Sequence, residues 1–402
     1  MNVTTMDIRS NDSVYIGMGC GTPTFLIKEM LKQDVENVTV YHLLTLGNLS
    51  YLNDDRFKHI SLFTSGNSRD YVNKTGNYVP TSFFGVTQMI KRQEIPVDVV
   101  LLQVSPPNKE GFCSYGLTCD CLPEACKQAR TVIAHINPQI PFVRGHKIHV
   151  NDFDEVIELD YPLNLYENQF NFSDEENQAA CHAATLIEDD SSVQVGVGTL
   201  PALVLGHVAA QRLKIFTEAA FKPIQNLIEK KQVEKVTCTM ILGDQEFIDF
   251  VGRKSFFKIA PASHTNSPSN ILIHSNFVSL NSVMAIDLYG QASADYSRSD
   301  CIYSGIGGLT DFARIAPLTK NGKSIIVMTS RTKKGVSKIC NKFETPVVLA
   351  RHDIQYVATE YGVVNLTGLT VASRALALIS IAHPEDRDQL KEDAYNMGIL
   401  SN

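Results

Sequence analysis

The sequence predicts an α/β fold of two related domains with mostly parallel sheets, and three observations carry that expectation. Short β-branched runs alternate with helical patterns along the chain, the order expected of strands joined by crossover helices. A strand, a glycine turn and a helix start follow one another in Ser13-Val14-Tyr15-Ile16-Gly17-Met18-Gly19-Cys20-Gly21-Thr22-Pro23. The same succession returns, one residue shorter, in Ser192-Val193-Gln194-Val195-Gly196-Val197-Gly198-Thr199-Leu200-Pro201. With 402 residues, 44% of them hydrophobic and 20% charged, the chain has material for two cores of ordinary size.

After the first glycine turn, Val97-Asp98-Val99-Val100-Leu101-Leu102-Gln103-Val104 reads as a largely buried strand, and Ser105-Pro106-Pro107-Asn108 as the turn behind it. A helix is expected over Leu122 to Arg130, then a strand over Thr131 to Ile136. Residues 160–178 are polar, rich in Asn and Asp and poor in apolar periodicity, so they read as a linker. The domains are therefore expected at 1–178 and 179–402. In the second half a helix-like segment spans Asn177 to Leu186, and the run Leu213-Lys214-Ile215-Phe216-Thr217 reads as a strand with Glu218 at its end. Phe221 to Lys231 reads as a helix with Ile224, Leu227 and Ile228 on one face, and Ser324 to Met328 as another strand.

Composition excludes several classes of function. The net charge is −7 with no Lys/Arg block, which argues against a nucleic-acid or anionic-membrane partner. The start Met1-Asn2-Val3-Thr4-Thr5-Met6-Asp7 has neither a secretory nor a transit pattern, and no apolar run reaches bilayer length, so a cytoplasmic protein is expected. Nine cysteines, an odd number in a chain too large to need staples, read as reduced thiols. Cys113, Cys119, Cys121 and Cys126 cluster, but without a CxxC pair, and no metal is expected. His42 and His149 sit beside apolar residues and read as hydrogen-bonded core or rim residues.

The chemistry-bearing candidate is Glu218. A glycine loop stands on either side of it in sequence, Gln194 to Pro201 upstream and Ser304-Gly305-Ile306-Gly307-Gly308-Leu309-Thr310-Asp311-Phe312 downstream. An acid between two segments whose backbone can approach a ligand closely suits covalent carboxylate chemistry on an activated acyl group. Against this stand plainer readings: a glutamate after a strand is usually solvated, and glycines usually make turns. Gly17, Gly19 and Gly21 read as a structural turn. Thr359-Glu360-Tyr361-Gly362 repeats the Thr-Glu dipeptide, which makes Glu360 the main decoy; it reads as a structural partner. Arg69 and Lys323 are candidate phosphate contacts that a surface position alone would also explain.

Several ordered motifs together resemble the acetyl-CoA hydrolase/transferase family: Val104-Ser105-Pro106-Pro107-Asn108-Lys109-Glu110-Gly111-Phe112-Cys113-Ser114-Tyr115-Gly116, Ile136-Asn137-Pro138-Gln139-Ile140-Pro141, the Gln194 loop, Thr217-Glu218, Ser304 to Gly308 with Asp311-Phe312, Thr359 to Val363, and Ile381-Ala382-His383-Pro384. The resemblance covers nearly the whole chain. It implies a CoA-transferase-like duplication with the active site between the domains, and Glu218 as a nucleophile that becomes covalently loaded with CoA. It implies Glu218, Gly307 and Gly308 as catalytic, and Gln194, Gly196, Gly198, Ser293, Gly305, Ile306, Gly307 and Gly308 as contacts to CoA. The chain departs from the family pattern at three places. Phe216 and Ala219-Ala220-Phe221-Lys222-Pro223 flank Glu218 where His before and Met-Ser-Asp-Gly after are usual, Ser293 stands where some members place Asn, and Asn365-Leu366-Thr367-Gly368-Leu369 lacks the usual Arg and Lys. The implied activity is an acyl-CoA:carboxylate CoA-transferase for C2 to C5 acids such as acetate, butyrate, 4-hydroxybutyrate or a dicarboxylate. Two alternatives are an acyl-CoA hydrolase and, from another class, a non-catalytic acyl-CoA-binding protein. CoA and acyl-CoA enter as substrates, no cofactor is held permanently, and a homodimer or other homo-oligomer is expected.

Overall fold

A computed structural model describes residues 6–47, 49–167, 172–297 and 301–401. The first five residues of the chain and residues 168–171 of the expected linker lie outside these. Two compact units are present: Met1–Asn168 with Glu218–Lys222 and Lys235–Ser267, and Gln169–Thr217 with Pro223–Glu234 and Pro268–Asn402. The units are thus not two consecutive stretches of chain. The first takes two segments from beyond residue 178, and one of these begins at Glu218.

The first unit is built on a six-stranded sheet in the order Phe57–Ser61, Val38–His42, Ser13–Ile16, Val99–Val104, Thr131–Ile136, Glu155–Glu158, and all five pairings are parallel. Val99–Val104 and Thr131–Ile136 are buried at every position, as interior parallel strands covered on both faces require. The helix Thr24–Met30 lays Leu26, Ile27 and Met30 against Val14, Ile16, Val38 and Leu101. Ahead of it the glycine turn closes as one 3-10 turn, Gly19–Gly21. Within the same unit Val236 to Cys238 pair in parallel with Phe257–Ile259, which pairs in turn with Arg144–Gly145.

The second unit repeats the strand, glycine turn and helix: Ser192–Val195 leads through Gly196 and Gly198 into Thr199–His207. Gly196 is required there, because a Cβ would come within 2.5 Å of Asn281 Oδ1. Ser192–Val195 pairs in parallel with Phe277–Ser282, and that strand with Lys323–Val327, then Tyr356–Thr359, while Gly362–Asn365 closes the edge antiparallel. The helix Asp174–Ala184 starts on a capping box of Ser173 and Glu176. Val371–Ser380 and Pro384–Asn396 cover a core that includes Ile326, Met328, Val357, Leu378 and Leu390. The α/β fold with largely parallel sheets is as the sequence predicts. One local expectation is corrected: Glu218 does not end its strand. Leu213–Phe221 is a single nine-residue strand, since Ala219, Ala220 and Phe221 are all buried and carry the pleat three residues further.

Candidate active site

Strand geometry sets the surroundings of Glu218. Successive side chains point to opposite faces, so Thr217 and Glu218 diverge. Thr217 is fully buried, and its hydroxyl donates to the Val195 carbonyl at 3.0 Å and accepts from the Val195 amide at 3.2 Å. These bonds extend the pairing of Ser192 with Lys214 and Val193 with Ile215, and they tie the Gln194 loop to the residue before the candidate nucleophile. Glu218, half-buried, accepts a hydrogen bond at Oε1 from Asn266 Nδ2 at 2.6 Å. Asn266 lies after the short helix Ala262–Thr265, and its amide N–H donates to the Ala262 carbonyl at 2.9 Å. Its own side-chain oxygen accepts from the Thr265 hydroxyl at 2.8 Å, and that hydroxyl meets Thr239 Oγ1 at 2.6 Å. Thr239, Thr265 and Asn266 are all fully buried.

In the same unit a second carboxylate, Asp120, is fully buried with a left-handed φ of +23°. It accepts from Tyr15 OH at 3.1 Å, from the Met18 amide at 3.3 Å and from the Cys121 amide, and its carbonyl accepts from the Ala262 amide at 2.8 Å. Burial pushes its pKa up to about 7 against the lowering effect of these donors. Burial likewise raises the Cys121 thiol well above its ordinary value, with the negative charges of Asp120, Glu124 and Glu218 adding to the shift. Together Asp120 and Thr118, whose hydroxyl donates to the Met18 carbonyl at 2.8 Å, brace the first glycine turn. His42 braces it too, donating from Nε2 to the Gly17 carbonyl at 3.2 Å and accepting from Tyr51 OH at Nδ1; burial pulls its pKa down to about 3 and keeps it neutral. His149 accepts at Nδ1 from the Asn151 amide and sits 3.1 Å from the Glu110 carbonyl.

Of the other sequence-predicted residues, Arg69 opens the helix Arg69–Thr75 of the first unit, which also holds Lys222, and the rest lie in the second unit. Gln194 is 1% exposed, and its amide exchanges two hydrogen bonds with that of Asn281 while Ser279 Oγ donates to its oxygen at 2.9 Å. Its side chain thus joins adjacent strands. Gly198 is the N-cap of Thr199–His207. Ser293, 2% exposed, donates to the Tyr296 carbonyl at 3.1 Å. The fold brings this segment beside the downstream glycine loop, since Tyr303 N donates to the Asp295 carbonyl and Ser304 Oγ to the Ala294 carbonyl. In that loop, which holds Gly305 and Ile306, Gly307 takes a left-handed φ of +59°, and Gly308 at φ −91° caps the helix Leu309–Ile315. Phe216, in place of the family's His, packs on His274 and Phe277 at ring distances of 4.7 and 6.2 Å. Lys222 pairs with Asp244 and Glu246, and Lys323 with Glu188. Glu360 accepts from the Ser330 amide and hydroxyl at 2.8 and 2.6 Å, and with Lys338, Tyr361 and His383 it lines a cavity of about 640 Å³. Among the described residues no cluster of His, Cys, Asp or Glu could hold a metal ion, and no helix is long and apolar enough to cross a membrane.

Sequence reasoning missed Asn266 and Asp120. The signal for the first was the polar run Ser263-His264-Thr265-Asn266-Ser267 between two prolines, a tight buried turn rich in side-chain donors.

Comparison with known proteins decides the family. The acetyl-CoA hydrolase/transferase N-terminal domain matches residues 4–163, and the C-terminal domain of the same family matches residues 243–394. The chain is an enzyme of the acetyl-CoA hydrolase/transferase family. It is 34% identical to a 4-hydroxybutyrate coenzyme A transferase of Clostridium kluyveri over 96% of this chain and 94% of that one. A solved structure of a 4-hydroxybutyrate CoA-transferase from Porphyromonas gingivalis superposes with a TM-score of 0.81 at 31% identity, covering 96% of this chain and 94% of that one. RipA from Yersinia pestis superposes at 0.89 with 29% identity, covering 98% and 96%.

Proposed function

We propose that this enzyme moves CoA between an acyl-CoA and a free short carboxylate through a covalent glutamyl-CoA thioester on Glu218. The observation that carries the proposal is a carboxylate set in a rigid strand and held by a buried amide at 2.6 Å, in a chain 34% identical to a CoA transferase along nearly its whole length. A Glu218 oxygen attacks the thioester carbonyl, CoA thiolate leaves, and a mixed anhydride forms. The thiolate then attacks the glutamyl carbonyl carbon and expels the donor acid, leaving CoA on Glu218. An acceptor carboxylate reverses the two steps. The mixed anhydride and then the glutamyl thioester each conserve the free energy of the starting thioester, which a serine ester would not. The family resemblance supports Gly307 and Gly308 as backbone donors to the thioester oxygen, Gln194, Gly196, Gly198, Ser293, Gly305 and Ile306 as CoA contacts, and C2 to C5 acids as substrates. The cytoplasmic location expected from the sequence is kept as a proposal, and sedimentation velocity tests the proposed homodimer.

Intact-protein mass spectrometry after incubation with acyl-CoA and mild denaturation tests the mechanism. A CoA-sized adduct that is absent from Glu218→Gln supports it. Turnover of acyl-CoA with no adduct at any acceptor concentration refutes it in favour of direct hydrolysis, and absence of any turnover leaves only acyl-CoA binding.

A further inference from the structure

We propose that Cys181 is a second acyl-accepting site of this enzyme: His207 takes the proton of its thiol, Asn177 fixes the imidazole, and a short acyl-CoA acylates the thiolate. The three side chains come from two helices of the second unit, Asp174–Ala184 and Thr199–His207, and the glutamyl chemistry uses none of them. The inference goes beyond the glutamyl-thioester reading and does not depend on it.

Asn177 and Cys181 stand one helical turn apart and so share a face of their helix. His207, the last residue of the other helix, bridges them: its Nδ1 lies 3.4 Å from Cys181 Sγ and its Nε2 2.8 Å from Asn177 Oδ1. An amide oxygen only accepts, so Nε2–H is the donor there, and Nδ1 of the neutral ring is left to accept from the thiol S–H. The bonding runs one way, from thiol to ring and from ring to Asn177. This sets Cys181 apart from the other thiols. Burial pushes those of Cys20, Cys113, Cys119, Cys121, Cys126 and Cys238 up, which keeps them protonated and slow to react. The Cys340 thiol donates to the Ile286 carbonyl, which can take no proton from it. Cys181 is half-buried and His207 exposed, so a reagent reaches the pair.

A ligand-sized space adjoins the pair. An apolar cavity of about 170 Å³ runs along the helix Thr199–His207, lined by Ala202, Leu203 and Gly206 of that helix with Phe172 and Pro223. Leu203 shares the face of His207 one turn away, and Gly206, next to His207 in sequence, has no side chain to close the space; nothing lies within 4 Å of its Cβ position. An apolar cavity of about 150 Å³ admits benzene, so a C2 to C5 acyl chain fits here. In the step itself the thiol proton passes to His207 Nδ1, the thiolate attacks the thioester carbonyl carbon, and a new C–S bond forms. As the tetrahedral oxyanion collapses, the C–S bond to CoA breaks, and CoA leaves as a thiol with the proton from Nδ1. One thioester replaces another, so neither an oxidant nor an energy source is required. The imidazolium formed on the way stands at a helix C-terminus, where the helix dipole favours positive charge.

Purified full-length protein and butyryl-CoA test this, with peptide mapping by mass spectrometry at intervals. A butyryl group that neutral hydroxylamine removes is expected on Cys181, formed with a second-order rate about 10²- to 10⁴-fold above that of N-acetylcysteine at the same pH, the usual worth of a positioned general base. His207→Ala is expected to lose that gain. Asn177→Ala is expected to slow labelling by up to about tenfold, the worth of one ordinary hydrogen bond, and Asn177→Asp, which keeps an accepting oxygen, to restore the parent rate. Glu218→Gln is expected to label at Cys181 like the parent while the CoA-sized adduct disappears, so this inference and the glutamyl-thioester reading fail separately. A Cys181 rate equal to that of N-acetylcysteine overturns the proposal, as does a folded His207→Ala protein that labels like the parent. Equal slowing by Asn177→Ala and Asn177→Asp overturns it too, because packing and not orientation would then be at work. Labelling spread evenly over Cys181, Cys301 and Cys340 has the same force, since exposure alone would be choosing the thiol. Loss of the Cys181 label in Glu218→Gln would show that the acyl group arrives through Glu218, and direct attack by the thiol would be wrong.

Discussion

Replacing Asp120 by Asn should change how stability depends on pH, with a magnitude set by the burial of that carboxylate. Asp120 has its pKa raised from 3.8 to about 7 by desolvation. Below the unfolded value both states carry the proton and the group contributes nothing to the pH dependence. Between the two values the native state holds a proton that the unfolded chain has released, and stability falls by about 1.4 kcal/mol per pH unit, roughly 4 kcal/mol in all by pH 8. Asn keeps the side-chain shape and tolerates the left-handed φ of +23°. It can still accept from Tyr15 and the Cys121 amide while losing the longer bond from Met18, a fixed cost of about 1 kcal/mol. Denaturant titrations of parent and variant at intervals from pH 4 to pH 8 isolate the effect, because every other titrating group cancels in the difference. The variant should be the less stable protein near pH 4 and the more stable one at pH 8. A difference that stays flat across that range would show that Asp120 is ionised in the folded protein at low pH, and the account of its burial would fail.

Two further substitutions separate chemistry from fold. Glu218→Asp withdraws the carboxylate by one methylene from both its acyl target and Asn266; transferase turnover should drop about a hundredfold with melting unchanged, and parent-like turnover would remove Glu218 from the mechanism. Gly307→Ala places a Cβ at φ +59° and should lower stability by about 1 kcal/mol, whereas Gly308→Ala at φ −91° should melt like the parent. Calorimetry with and without acyl-CoA then shows whether either variant has lost the ligand-induced rise in melting temperature; equal melting of the two would contradict the backbone reading of this loop.

How far the sequence could be read depended on how local each cause was. The strand Thr131–Ile136 was legible to the residue, because an interior parallel strand must be apolar on both faces and leaves an unbroken run. The helix Lys222–Glu229 was legible from Ile224, Leu227 and Ile228 at helical spacing. The strand end at Glu218 was misread because Ala219 and Ala220 have little strand preference; their burial in the sheet decides the matter, and burial is a tertiary fact. The polar run around Asn266 marks a buried turn, but its pairing with Glu218 was out of reach, since the two are 48 residues apart and no period links them. In Cys119-Asp120-Cys121 the spacing of the two thiols argues against a metal and says nothing further. The residue between them is the notable one, and its left-handed backbone and buried carboxyl have no signature in composition.

The candidate nucleophile Glu218 stands on a strand and not on a loop. Attack on a thioester depends on placement to within about 1 Å, and a loop residue cannot hold that tolerance without support. Thr217 is anchored through its two bonds to the Val195 backbone, and the Glu218 carboxylate is held by Asn266. Opposite orientation of neighbouring side chains, a property of any strand, lets one residue be anchored while the next is presented. The small side chains of Ala219 and Ala220 fit the same logic: they let the strand run on into the sheet, so Glu218 is fixed from both ends of its backbone and not only from behind. The altered residues around Thr217-Glu218 thus preserve the mount of the carboxylate. What they change is position 216, where an imidazole in the family pattern gives way to a phenyl ring packed in a core with His274 and Phe277.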